Sequence, residues 1–191
     1  MNKPVFNNNY HFQYINSNSN FAITDFNNSF FEVLSKYTSY YDNLIILCIG
    51  SERTLNNSIA PLVGYKLSNL SLHKKIFIYG SLEHNVTSKN LISCVNMIYS
   101  KHKNPLLITI DSSSTKENLV NHINIGEGSI KLNCNANCPY PYIGDIFITA
   151  LTSNNFNLPN LSNPKSTKLF NIIRMSDIIT SGIWHCTNNI L

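Results

Sequence analysis

The chain is short of charge. Asp, Glu, Lys and Arg make up 13% of its 191 residues while 43% are hydrophobic, so its polar surface must be largely uncharged. Arginine occurs at Arg53 and Arg174 alone, the lysines are scattered, and the longest basic cluster, His73-Lys74-Lys75, reads as a solvated lead-in to a strand. A net charge of +4 spread in this way lacks the clustered Lys and Arg that phosphates require, which argues against nucleic acid as a partner. No apolar run approaches the roughly 20 residues of a membrane span. The polar, Asn-rich start has no apolar signal-peptide core. The expectation is a cytoplasmic protein with no membrane partner. The cysteines (Cys48, Cys94, Cys134, Cys138, Cys186) are odd in number and suit free thiols in a reducing compartment. Absent too are the Walker loop, G-x-G-x-x-G, G-x-S-x-G and H-E-x-x-H, which removes the commonest nucleotide, lipase-like and zincin functions.

Asparagine supplies the uncharged polarity, at 31 residues. Its spread through loops and helices alike fits an AT-rich coding bias, and in such a chain Asn-x-Ser/Thr sequons such as Asn85-Val86-Thr87 arise by chance. The length suits one domain, since domains run to roughly 100–200 residues. Residues 1–24 are low in complexity and without period, and read as a poorly ordered arm. Residues 25–191 then read as a single α/β domain.

Asp25 is placed to cap a helix whose apolar face is Phe26, Phe30, Phe31, Leu34 and Tyr37. Strands are expected at Asn43–Ile49, Lys75–Tyr79 and Pro105–Ile110. The intervening helices, about Ser58–Ser71 and Thr87–His102, turn Ile59, Leu62, Val63, Leu67 and Leu70, then Leu91, Val95, Ile98 and Tyr99, inward. Continuous apolar runs separated by helices indicate a parallel sheet covered on both faces. Val120–Ile125 and Ser129–Asn133, around Gly126-Glu127-Gly128, resemble a β-excursion or hairpin. Gly144–Leu151 returns to a core strand. A last helix, about Pro164–Thr187, faces inward with Leu169, Ile172, Ile173, Met175, Ile179 and Ile183.

In an open α/β sheet, ligands sit beyond the carboxyl ends of the strands. Three such ends are polar here: Ser51-Glu52-Arg53, Ser81-Leu82-Glu83-His84 and Asp111-Ser112. Strand ends are commonly polar in any case. Asp111, directly after PLLITI, suits either general acid/base work at the mouth of the sheet or a turn cap. Arg53 could hold a substrate carboxylate or pair with Glu52 on the surface. Glu83 and His84 are adjacent, so at most one faces a shared site. Asn56, Asn57 and Ser58 occupy the helix start where an enzyme would want an acid or a nucleophile. Cys134-Asn-Ala-Asn-Cys138 has a metal-ligand spacing but no second pair, so no metal is expected. His185 and Cys186 are neighbours on a helix and do not face each other.

Three segments together carry a likeness: IGSERTLNNSIAPLVG at 49–64, YGSLEHNVTSKNL at 79–91 and IGDIFITAL at 143–151, with ITID at 108–111 and IGEGSIK at 125–131 in matching order. They resemble the YyaC-like spore protease family of endospore-forming bacteria, which is similar to germination protease and, more distantly, to hydrogenase maturation peptidases. The likeness covers about residues 40–185 and is most specific at 49–64. It implies a three-layer α/β/α domain with a mixed, mainly parallel sheet, a phosphorylase/hydrolase-like fold of the peptidase type. It further implies a peptidase role in the sporulating cell or forespore, on a protein or peptide substrate such as small acid-soluble spore proteins, with no cofactor.

The related germination protease is taken to use aspartates as its acids. Where the first block of the family carries an acid, this chain has Asn57; the glycine of that element is Ala60, and Thr87 stands where the second block has a histidine. Asp111 retains the aspartate of the third strand, and Glu83 stays near the second site. The resemblance therefore implies Asp111, Asn57, Glu83 and Glu52 as the catalytic set, with Arg53, Ser58, Ser81 and Thr87 binding substrate. Asparagine keeps the shape of aspartate but cannot take a proton. Two functions follow: a peptidase in which Glu52 or Glu83 substitutes for the missing acid, or an inactive member that binds or builds.

Overall fold

The computed structural model describes residues 12–37, 40–115, 117–131, 142–153 and 168–190. In chain order these form β1 (Phe12–Asn16), α1 (Ala22–Ser35), β2 (Asn43–Cys48), α2 (Ile59–Ser68), β3 (Ile76–Tyr79), α3 (Leu91–Lys101), β4 (Pro105–Thr115), β5 (His122–Glu127), β6 (Ile130–Lys131), β7 (Tyr142–Ile143), β8 (Ile146–Ser153) and α4 (Leu169–Ile190). Short 3-10 turns at Leu55–Ser58 and Glu117–Leu119 lead into α2 and β5.

Six strands make one sheet in the order β1-β5-β8-β4-β2-β3. β8, β4, β2 and β3 run parallel, and β5 is antiparallel to both β8 and β1. Side chains alternate across the pleat. Leu44, Ile46, Leu106, Ile108 and Ile110 point to one face, where Phe26 and Phe30 of α1, Val63 and Leu67 of α2, and Ile172, Met175, Ile179 and Ile183 of α4 cover them. Ile45, Leu47 and Leu107 point to the other face and meet Leu91, Val95 and Ile98 of α3. The result is the three-layer α/β/α arrangement with a mixed, mainly parallel sheet.

Several boundaries depart from the sequence expectation. Phe12–Asn16 does not belong to a loose arm; its alternating FQYIN pairs along β5 as an edge strand. α1 begins at Ala22, and Asp25 lies in its first turn without capping it, a position where a carboxylate still complements the helix dipole. The segments around Gly126-Glu127-Gly128 do not pair with each other. β5 inserts between β8 and β1, while β6 pairs with β7. Phe31, Leu70, Tyr99, Leu169 and Ile173 border the apolar stripes of their helices and are exposed. Cys48, Cys94 and Cys186 are buried free thiols, whereas Cys134 and Cys138 lie outside the described residues. Among the described residues, no helix is long and apolar enough to cross a membrane.

Candidate active-site cleft

β2 and β4 are parallel neighbours whose chains part company at their carboxyl ends. β2 leads through α2 to β3 on one side, and β4 leads to β5 on the other. Such a switch point opens a crevice in an α/β sheet. A cleft of about 800 Å³ lies there, floored by Ile49, Gly50 and Asp111–Ser114, with Ser51–Arg53, Asn57, Asn85, Thr87–Lys89 and Lys131 around it.

The loop after β2 is folded back on the strand end. Ile49 bridges to Val86, the Gly50 amide donates to the Val86 carbonyl at 2.8 Å, and the Ser51 amide donates to the Asn57 carbonyl at 3.0 Å. A side chain at Gly50 would place Cβ 2.3 Å from that carbonyl oxygen and 2.9 Å from the Pro61 ring, so the return of the loop requires glycine there. The two adjacent asparagines then separate in role. Asn56 Nδ2 donates to the Ser153 carbonyl at 2.9 Å and ties the loop to the end of β8, while Asn57 is part of the cleft lining. Ser58 donates its hydroxyl to the Leu55 carbonyl at 2.7 Å and is not among the cleft residues.

Asp111 is neither at the end of a strand nor in a turn. β4 runs on to Thr115 because β8 pairs with it as far as Ser153, and Asp111 stands directly opposite Thr149. By the alternation of β4 it points to the α3 face, with Leu107. Its Oδ1 is buried and has no hydrogen-bond partner among the described residues. Burial pushes its carboxyl above the ordinary carboxylate range, and a hydrogen bond from Thr149 opposes that rise. The cleft therefore holds a carboxyl that keeps its proton to higher pH than an exposed one does. The turn-cap alternative falls with this register.

The remaining predicted residues divide. Glu52, Arg53 and Thr87 line the cleft with Asp111 and Asn57. Glu52 Oε2 accepts from Asn85 Nδ2. Glu83 is exposed and outside the lining, and Ser81, also outside it, accepts the His84 amide at 3.1 Å with its hydroxyl. The structure adds Asn85, Lys89, Ser113, Ser114 and Lys131, none of which was singled out beforehand. The serines read as turn chemistry, and Lys131 reaches the cleft through the β6–β7 pairing, which local periodicity does not reveal. Among the described residues no group of three or more His, Cys, Asp or Glu side chains could hold a metal ion.

A family model described as "Protein of unknown function (DUF1256)" matches residues 14–182. The chain belongs to this family. Its match spans β1 from Tyr14, the other five strands of the main sheet and most of α4, so the cleft lies wholly within the DUF1256 domain. "Uncharacterized protein YyaC" of Bacillus subtilis (strain 168) is 28% identical over 140 residues, covering 73% of this chain and 67% of that protein. The chain is thus a YyaC-like member of DUF1256, in keeping with the resemblance carried by the blocks at 49–64 and 79–91.

Proposed function

We propose that this YyaC-like protein is a peptidase-type sporulation protein, resembling germination protease, that binds a protein or peptide in the Asp111 cleft and hydrolyses it weakly or not at all. One observation carries the reading: Asp111, whose Oδ1 is buried and whose carboxyl burial shifts upward, shares its cleft with Asn57 where the family resemblance leads one to expect a second acid. Acid-pair hydrolysis needs one carboxyl to give a proton while another takes one from water, which requires their pKa values to be driven apart. Asp111 can donate to a carbonyl oxygen or a leaving amine. Asn57 can orient water or a carbonyl but cannot accept the proton. The missing base contributes a factor of the order of 10²–10⁴ in rate. Small acid-soluble spore proteins are the substrate class implied, and the cytoplasm of the sporulating cell or forespore is the place.

A second reading rests on Glu52, a carboxylate lining the same cleft. If it takes the role of base, the protein is an active peptidase. Incubating small acid-soluble spore proteins with the wild type, Asn57→Asp and Asp111→Ala separates the two. The expected result is near-intact substrate with the wild type and faster cleavage with Asn57→Asp. Robust wild-type cleavage that Asp111→Ala abolishes would establish the Glu52 mechanism instead. Silence from both the wild type and Asn57→Asp would argue against any residual peptidase design.

A further inference from the structure

The charges around the cleft do not match a neutral peptide. Arg53, Lys89 and Lys131 line it, all three exposed. The ion pairs between described residues lie elsewhere, at Lys36–Glu127 and Lys66–Asp177. Against these cations stand two acids, Glu52, which accepts from the Asn85 amide, and Asp111, whose Oδ1 is buried. The N-terminal turn of α3 is also part of the wall, through Leu91 and Ile92. No side chain caps that turn; the Asn90 side chain instead reaches back, its Oδ1 accepting from the Thr87 amide at 2.8 Å and its Nδ2 donating to the Asn85 carbonyl at 2.9 Å. A helix start favours negative charge. The Asp111 Oδ1 at the floor of this crevice is buried and unpartnered, an acceptor suited to a donor of the bound chain such as a peptide N–H.

We infer that the cleft recognises a carboxylate carried by the bound peptide, held by Arg53 and Lys89 at the α3 N-terminus. The C-terminus of a chain and a Glu or Asp side chain both supply such a carboxylate; the chemistry is shared. This inference rests on the peptide-binding reading above and narrows it to a substrate class.

Isothermal titration calorimetry with four unlabelled octapeptides tests it on the full chain. All have otherwise uncharged side chains and acetylated N-termini: a free C-terminal acid, its amide, an amide with one central glutamate, and an amide with glutamine there. Charge-assisted contacts predict that at least one acid-bearing peptide binds about tenfold or more tightly than its neutral counterpart. A preference for the free C-terminus identifies the chain end, and a preference for glutamate over glutamine identifies the side chain. The double variant Arg53→Gln/Lys89→Gln, exposed at both positions, is expected to melt like the wild type and to lose the preference. Equal binding of all four peptides overturns the inference and leaves peptide binding intact. Binding of none overturns both.

Discussion

Asp111 and Thr149 face each other across β4 and β8, and the strand pairing that positions them also strips water from the carboxyl. The consequence is measurable without any substrate. Because burial raises its pKa, the folded chain holds the Asp111 proton more tightly than the unfolded chain, whose value is near about 3.9. A group of this kind contributes its stability in full below the unfolded-chain value and loses it as pH rises through the folded-state value. Asp111→Asn keeps the shape and cannot ionise. Its melting temperature is expected to gain on that of the wild type as pH rises from about 4 to about 8. Parallel melting curves over that range would show an ordinary, solvated carboxylate. The neighbouring asparagines illustrate how far a residue alone can be read. Asn56 and Asn57 are the same side chain one position apart, yet one anchors the loop to Ser153 and the other lines the cleft.

At the scale of elements, the blocks that carry the family resemblance are packing devices as much as chemical ones. A Cβ on Gly64 of α2 would lie 1.9 Å from the Gly80 carbonyl oxygen after β3, so helix and strand end touch through backbone. Gly64→Ala has to push α2 off the sheet. Overpacking of this kind costs roughly 1–3 kcal/mol or more, a fall in melting temperature of the order of 5 °C for a chain of this size. Calorimetry checks it; an unchanged melt would mean that α2 packs less closely than the structure has it. Elements with continuous apolar runs or a clean helical period, namely β2, β3, β8, α2, α3 and the core of α4, were legible in the sequence. What escaped depends on distant pairing. The segment DSSST has the composition of a turn and becomes strand because β8 supplies its partners from Asp111↔Thr149 to Thr115↔Ser153. β1 hides in an Asn-rich stretch until β5 pairs with it, and β5 takes a place between β8 and β1 that its own residues do not specify. The cleft lining was legible where it follows the strand-end rule, at Ser51–Arg53, whereas Asp111, expected at such an end, lines the cleft from within β4. The lining was not legible at Lys131, which comes from a different part of the chain.

For the molecule as a whole, the topology and the site agree. The order β1-β5-β8-β4-β2-β3 places its switch point between β2 and β4, and the cleft lies at that point, with Asp111 on its floor and Asn57 on its wall. In the function proposed above, this crevice receives a protein or peptide. Amide chemical-shift mapping of the isotope-labelled chain, titrated with a small acid-soluble spore protein, tests it most directly. The largest shifts are expected in three separated segments at once, at 49–53, 85–92 and 111–114, the lining of one cleft. Shifts confined to the exposed outer positions of α1 and α4, such as Phe31 and Ile173, or no shifts at saturating ligand, would contradict it.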